Sequence, residues 1–296
     1  DRLIVHGSAM DGVEGSVYAL ALESGRILWR SPARSRVVGS LATDDGKYAL
    51  AVRSEGRLDQ TGHWLGCWTV RTGRMVWEYS RPDTVLNQIP VYDHATRRVV
   101  AYFDDGTIVG LDVHSGELLW ERRLYQGPLV LPAFHWQPSC YDSLQQIPGM
   151  VLATDRTGDV TVLSTSTGDI LASYQAAERI VEGVRTGRRS LVAKPWQIGS
   201  QLVVCGGTEI CSYRFPLDEL QRAAAACRPT VESIDYERRI PEWIEQLGAP
   251  VAADRMAARK LLLRAGEIAF EELQTRRDDP DPEIRAQVRE ILEALE

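Results

Sequence analysis

Five histidines, five cysteines and an aspartate cluster near the C-terminus are the side chains best able to hold a metal or attack a substrate. His6, His63, His94, His114 and His135 form no ligand spacing with cysteines or acids, and neither His-x-His nor Cys-x-x-Cys occurs, so the sequence gives a zinc site no support. Cys67, Cys140, Cys205, Cys211 and Cys227 are odd in number and imply no disulfide framework; Cys205 and Cys211 flank a tight hairpin, either opposed across it or buried as free thiols. Glycines fall at turns and form no phosphate loop, and no G-x-S-x-G elbow is present. Asp278, Asp279 and Asp281 suit a cation on composition, but the start of a helix explains them more simply. No catalytic, cofactor or metal residue is therefore assigned.

The aromatic side chains fall into two groups. Trp29, Trp77 and Trp120 recur in a pattern, whereas His135, Trp136 and Tyr141 lie in an insertion, Ala133 to Pro148, longer than the roughly 2 to 5 residues of ordinary hairpin loops. The pattern is clearest from Gly106 to Trp120, GTIVGLDVHSGELLW. Gly15, Val17, Ser24-Gly25 and Trp29 make one copy, and His63, Leu65, Thr72-Gly73 and Trp77 another. Gly106, Ile108, Ser115-Gly116 and Trp120 make the third, while Gly158, Val160, Thr167-Gly168 and Ala172 make a fourth without the Trp. A partial fifth starts at Gly207 with Ile210. Turn glycines Gly25, Gly73, Gly116 and Gly168 are 48, 43 and 52 residues apart, a period that fits propeller blades. The residues before each turn alternate apolar and polar, predicting half-buried strands, and the run into each Trp predicts a second strand whose ring covers the next sheet.

The A-x-D-x-x-T-G-x-x-x-W pattern resembles the repeat of PQQ-like β-propellers, a family that includes quinoprotein dehydrogenases and non-enzymatic relatives such as the outer-membrane assembly scaffold lipoprotein. Asp112 holds the acidic position in the best copy, and Ala21, Thr69 and Ser164 hold it in the others. The resemblance implies a propeller over residues 1–215 with four-stranded blades, about five of them visible in a set that need not be complete. The first blade lacks an inner strand and the fifth an outer one, which predicts upstream blades before Asp1 or a partner chain that completes the propeller. Quinoprotein dehydrogenases hold PQQ with adjacent cysteines, a calcium ion and an Asp base; this chain has no adjacent cysteine pair, so none of those roles is transferred and no cofactor is expected.

A helical linker is expected over residues 216–230, followed by a small all-α part over 231–296. Trp243, Ile244 and Leu247 mark a helix beginning at Pro241, and Met256, Leu261 and Leu263 a second. Ile268, Phe270 and Leu273 mark a third. Asp281 as N-cap, Pro282 and Glu283 open the last, with Ile284, Val288, Ile291, Leu292 and Leu295 on one face. DPDPEIRAQVREILEAL resembles a HEAT-like repeat, whose helices imply protein binding. The net charge is −7, with 10 basic and 16 acidic residues from Thr230 onward, and no basic stripe calls for nucleic acid. No run approaches the ~20 apolar residues of a membrane span.

These readings predict a non-enzymatic scaffold or protein-interaction subunit of a larger assembly in a bacterium, with a lean to an extracytoplasmic, periplasmic location. Its partners are other protein subunits, contacted through His135, Trp136 and Tyr141 or through Trp243 in the helical tail, while Trp29, Trp77 and Trp120 pack between blades. The alternatives are a ligand-sensing propeller of a signalling protein and a degenerate quinoprotein dehydrogenase.

Overall fold

A computed structural model describes residues 2–7, 15–32, 36–54, 63–82, 84, 86, 89–103, 105–124, 144–154, 159–174, 180–181, 184–185, 195–206, 209–227 and 236–295. The β part is a series of antiparallel sheets, each of consecutive strands. Among the described residues the first has three, β1 (Arg2–Gly7), β2 (Ser16–Ala21) and β3 (Ile27–Pro32). Three four-stranded sheets follow: β4 (Arg36–Ala42), β5 (Tyr48–Ser54), β6 (His63–Thr69) and β7 (Met75–Ser80); β8 (Val91–Asp93), β9 (Arg98–Tyr102), β10 (Thr107–Asp112) and β11 (Leu118–Arg123); β12 (Leu144–Ile147), β13 (Met150–Thr154), β14 (Val160–Ser164) and β15 (Ile170–Tyr174). A short hairpin of β16 (Ile180–Val181) and β17 (Val184–Arg185) precedes a last, three-stranded sheet of β18 (Trp196–Ile198), β19 (Gln201–Gly206) and β20 (Glu209–Arg214). The arrangement is propeller-like, and among the described residues no closed barrel forms.

Successive sheets stack face to face, each junction with its own apolar cluster. Val17, Val37, Ala51 and Trp68 fill the first, Val100, Tyr102, Ile108, Trp120, Leu144 and Leu163 the third. Because the third sheet is covered on both faces, β9 and β10 are buried at every position, where sequence alternation predicts half-buried strands. A sheet sandwiched between neighbours reads as a continuous apolar run for the same reason. In the last sheet, Cys205 is the register partner of Ile210 and Cys211 that of Val204, so the two cysteines are not opposed in the ladder.

Among the described residues five helices follow: α1 (Leu217–Ala226), α2 (Tyr236–Gln246), α3 (Ala252–Ala265), α4 (Glu267–Thr275) and α5 (Pro282–Leu295). The expected linker is largely α1, whose Leu220 and Ala224 pack with Met150, Val162 and Phe215 against the fourth sheet. α2 starts at Tyr236, earlier than expected, with Pro241 inside it. Pro241 lacks the N–H that would reach back one turn, yet Ile240, Trp243, Ile244 and Leu247 form one buried stripe at helical spacing, and that burial holds the helix. α3 turns differently from the predicted face: Met256 is 73% exposed, and Ala258, Leu262 and Ala265 point inward. α5 begins as its sequence predicts, the Asp281 carboxylate accepting from the Glu283 and Ile284 backbone N–H groups at 2.8 and 3.3 Å. Among the described residues no helix is long and apolar enough to cross a membrane.

Candidate interaction site

Each copy of the repeat builds the same junction. A Ser/Thr-Gly turn joins the last two strands of a sheet, and its glycine adopts φ of +66° at Gly25, +72° at Gly73, +70° at Gly116 and +72° at Gly168, a region that residues with a Cβ rarely enter. The outer strand then bulges: Ala19 pairs with Trp29 but Leu20 with Ile27, and the same one-residue skip recurs at Val76, Leu119 and Leu171. The bulge re-aims the strand so that the Trp leans onto the following sheet.

There the Trp meets the next turn. The indole N–H of Trp29 donates to the Val70 carbonyl at 2.7 Å, that of Trp77 to Val113 at 2.7 Å and that of Trp120 to Thr165 at 2.8 Å. Each ring also lies flat against a turn glycine. A Cβ at Gly73 would come within 2.4 Å of the Trp29 ring, one at Gly116 within 2.6 Å of Trp77, and one at Gly168 within 2.5 Å of Trp120. Glycine is thus required twice at these turns, for its φ and for the approach of the ring. At the first turn no described atom lies within 4 Å of a Cβ built at Gly25, and Leu22 is 66% exposed where its counterparts Val70, Val113 and Thr165 are buried, while Ile27 is exposed like Met75, Leu118 and Ile170 at the same place in the other repeats.

The buried polar groups bind the sheets to one another. Asp93, fully buried at the end of β8, accepts from Ala95 N at 3.2 Å, Thr96 Oγ1 at 2.7 Å, Gln146 Nε2 and Gly149 N at 3.1 Å each, and Thr165 Oγ1, which ties the third sheet to the fourth. Asp112 accepts from His114 N, Ser115 N and Ser115 Oγ at 2.9 to 3.0 Å and faces the Arg98 guanidinium at 3.4 Å. A cleft of about 170 Å³ lies where α3 and α5 meet the second sheet, lined by Tyr48, Thr72, Arg74, His114, Leu263 and Leu295 among others. Its histidine is neutral: burial pushes the His114 imidazole down to about 4, and Nδ1 lies 3.1 Å from the Tyr48 hydroxyl. Among the described residues no group of histidine, cysteine and carboxylate side chains is placed to hold a metal.

Of the expected partner contacts, His135, Trp136 and Tyr141 lie outside the described residues. Trp243 is 1% exposed within the helical core, with the Arg239 guanidinium 5.5 Å from its ring, so in this fold it packs α2 and has no face to offer a partner. Sequence reasoning missed the exposed turn at Gly25.

Comparison with known proteins places this geometry. The family described as outer membrane protein assembly factor BamB matches residues 13–214, a span that holds all the repeats. Among solved structures, BamB from Moraxella catarrhalis aligns at 17% identity and a TM-score of 0.49, over 72% of this chain and 63% of that one, so the chain spans less than two thirds of that relative's length. The computationally designed Ika8 protein aligns at 16% identity and a TM-score of 0.49, over 72% of this chain and 55% of the designed one. The designed Ika4 protein gives 14%, 0.42, 62% and 92%. No curated protein matches the chain. With its repeat, its turn glycines and its tryptophan seats inside the matched span, the chain belongs to the PQQ-like β-propeller family of the outer membrane protein assembly factor BamB.

Proposed function

We propose that this chain is a non-enzymatic interaction subunit of a larger protein assembly, in the manner that the family's description as an assembly factor suggests, and that it works outside the bacterial cytoplasm. The observation that carries this reading is the contrast between its polar and apolar groups. The buried acids Asp93 and Asp112 are occupied in joining turns and sheets, whereas Leu22, Ile27 and Leu28 beside the first repeat turn are exposed. Aromatic and aliphatic anchors on rigid supports are what protein partners use, and the insertion bearing His135, Trp136 and Tyr141 supplies a second contact. In this reading residues 1–215 form the propeller, 216–230 the connecting helix and 231–296 a HEAT-like helical unit that presents the acidic surface.

Native mass spectrometry of the protein isolated from its source, under gentle and then denaturing conditions, tests the proposal. An assembly heavier than the 33.0 kDa chain, free of small-molecule cofactor and weakened by Trp136→Ala, is the expected result. A bare monomer, or a chain carrying a cofactor absorbance, overturns it.

A further inference from the structure

The cleft where α3 and α5 meet the second sheet has a polar floor and an apolar wall. Tyr48 and His114, both buried, belong to the floor, and the polar groups around them are held in place: the Tyr48 hydroxyl lies 3.1 Å from His114 Nδ1, Ser115 Oγ donates to Asp112 at 3.0 Å, and the Thr69 and Thr72 hydroxyls are 2.5 Å apart. Met75, Val76, Leu263 and Leu295 supply the apolar lining. With His114 neutral, Arg74 carries the only charge among the described residues that line the space. Its guanidinium makes one side-chain bond among the described residues, from Nη1 to the Ala294 carbonyl at 2.8 Å, and no described carboxylate pairs with it. The other N–H groups of the fork are left for an acceptor. The helix ends beside it are already bonded, Leu262 to the Gly266 N–H at 3.0 Å and Ala294 to Arg74, which offsets part of the negative charge that helix C-termini present. Protein interiors leave few voids larger than a water, and about 170 Å³ is close to the roughly 150 Å³ that admits a benzene ring.

We propose that this cleft binds a small carboxylate with an apolar body, of about the size of benzoate, its carboxylate on the Arg74 fork and its ring against Val76, Leu263 and Leu295. A planar guanidinium meets a carboxylate through two parallel hydrogen bonds, and the Thr72 and Ser115 hydroxyls share the polar side of the lining. A dianion is a poorer occupant, because among the described lining residues there is no second cation, and an amine meets no carboxylate there. So few atoms support only a weak, exchangeable complex, roughly 0.1–1 mM. The site stands apart from the interaction role proposed above. Its lining comes from the second sheet, the third-sheet turn and both helices, so an occupied cleft ties the helices more firmly to the sheets.

Titration of the full chain with sodium benzoate, followed by amide NMR, tests the site. Benzoate is expected to shift the Thr72, Ser115 and Gly266 signals together and saturably, since these residues line the cleft from three different elements. Toluene, with the same ring and no charge, is expected to bind at least about tenfold more weakly, and benzylamine to give no saturable shift. Arg74→Gln changes an exposed turn residue, so its circular dichroism and its amide signals away from the turn are expected to stay as they were while benzoate affinity falls about tenfold or more. Arg74→Lys, which keeps the charge and loses the fork, is expected to recover part of that loss. Equal binding of toluene and benzoate, a preference for benzylamine, unchanged benzoate affinity in Arg74→Gln, shifts confined to residues away from the cleft, or no saturable shift well above a millimolar overturns the proposal. A heavy native assembly that ignores benzoate overturns the cleft and leaves the interaction role standing, whereas benzoate bound in this way by a bare monomer supports the cleft and removes that role.

Discussion

Trp120 works at three contacts at once: its ring is buried in the junction cluster, its N–H is bonded to Thr165 and its face covers Gly168. Trp120→Ala is expected to cost about 3–5 kcal/mol in urea unfolding, as other large-to-small changes in cores do. Trp120→Phe is expected to cost less, keeping much of the ring and losing the hydrogen bond. His114 sets a pH dependence. With its folded value near 4 against 6.5 for an unburied imidazole, it is neutral in both states above pH 6.5 and its contribution to stability is then fully present. As the pH falls toward 4 the unfolded chain gains a proton that the native one refuses, and stability drops by up to about 3 kcal/mol. A urea midpoint that falls between pH 7 and 4.5, and falls less in His114→Gln, is the expected outcome. The tryptophans were legible in the sequence because a fixed distance from a turn leaves one strand position for them. Trp243 was not, because an aromatic on an amphipathic helix has the same spacing whether it anchors a partner or fills a core.

Between elements, the firmest joint is the Asp93 carboxylate. Its five donors come from the β8–β9 connection, from β12, from the turn after β12 and from Thr165 beyond β14. Asp93→Ala leaves those buried donors without an acceptor and is expected to destabilise by about 3–5 kcal/mol, read as a lower denaturant midpoint. Strand order was readable from turn signals and period. The depth of burial was not, since alternation within one sheet says nothing of a second sheet laid over its polar face. α2 illustrates the opposite failure: Pro241 suggests a start by local preference, and tertiary burial of Ile240, Trp243 and Ile244 carries the helix past it.

The whole molecule is held by contacts between distant parts of the chain. Arg71 stacks its guanidinium 3.5 Å from the centre of the Phe270 ring, and Arg74 donates to the Ala294 carbonyl at 2.8 Å near the end of α5. These join the helices to the turn of the second sheet, and buried residues of both share one apolar cluster. Phe270→Ala is expected to lower stability by about 2 kcal/mol, a partly buried ring counting for less than a fully buried one, and to speed hydrogen exchange in α4 more than in β9. The direction of the tryptophan contacts has a consequence for assembly. Each of the first three sheets gives a ring to the next, a head-to-tail relation of the kind that continues until it closes or is capped. Here the fourth sheet has Ala172 where a ring would be offered, and α1 lies across its outer strand. Among the described residues the run of tryptophan contacts thus ends at the fourth sheet, where the packing of α1 takes the place of a ring.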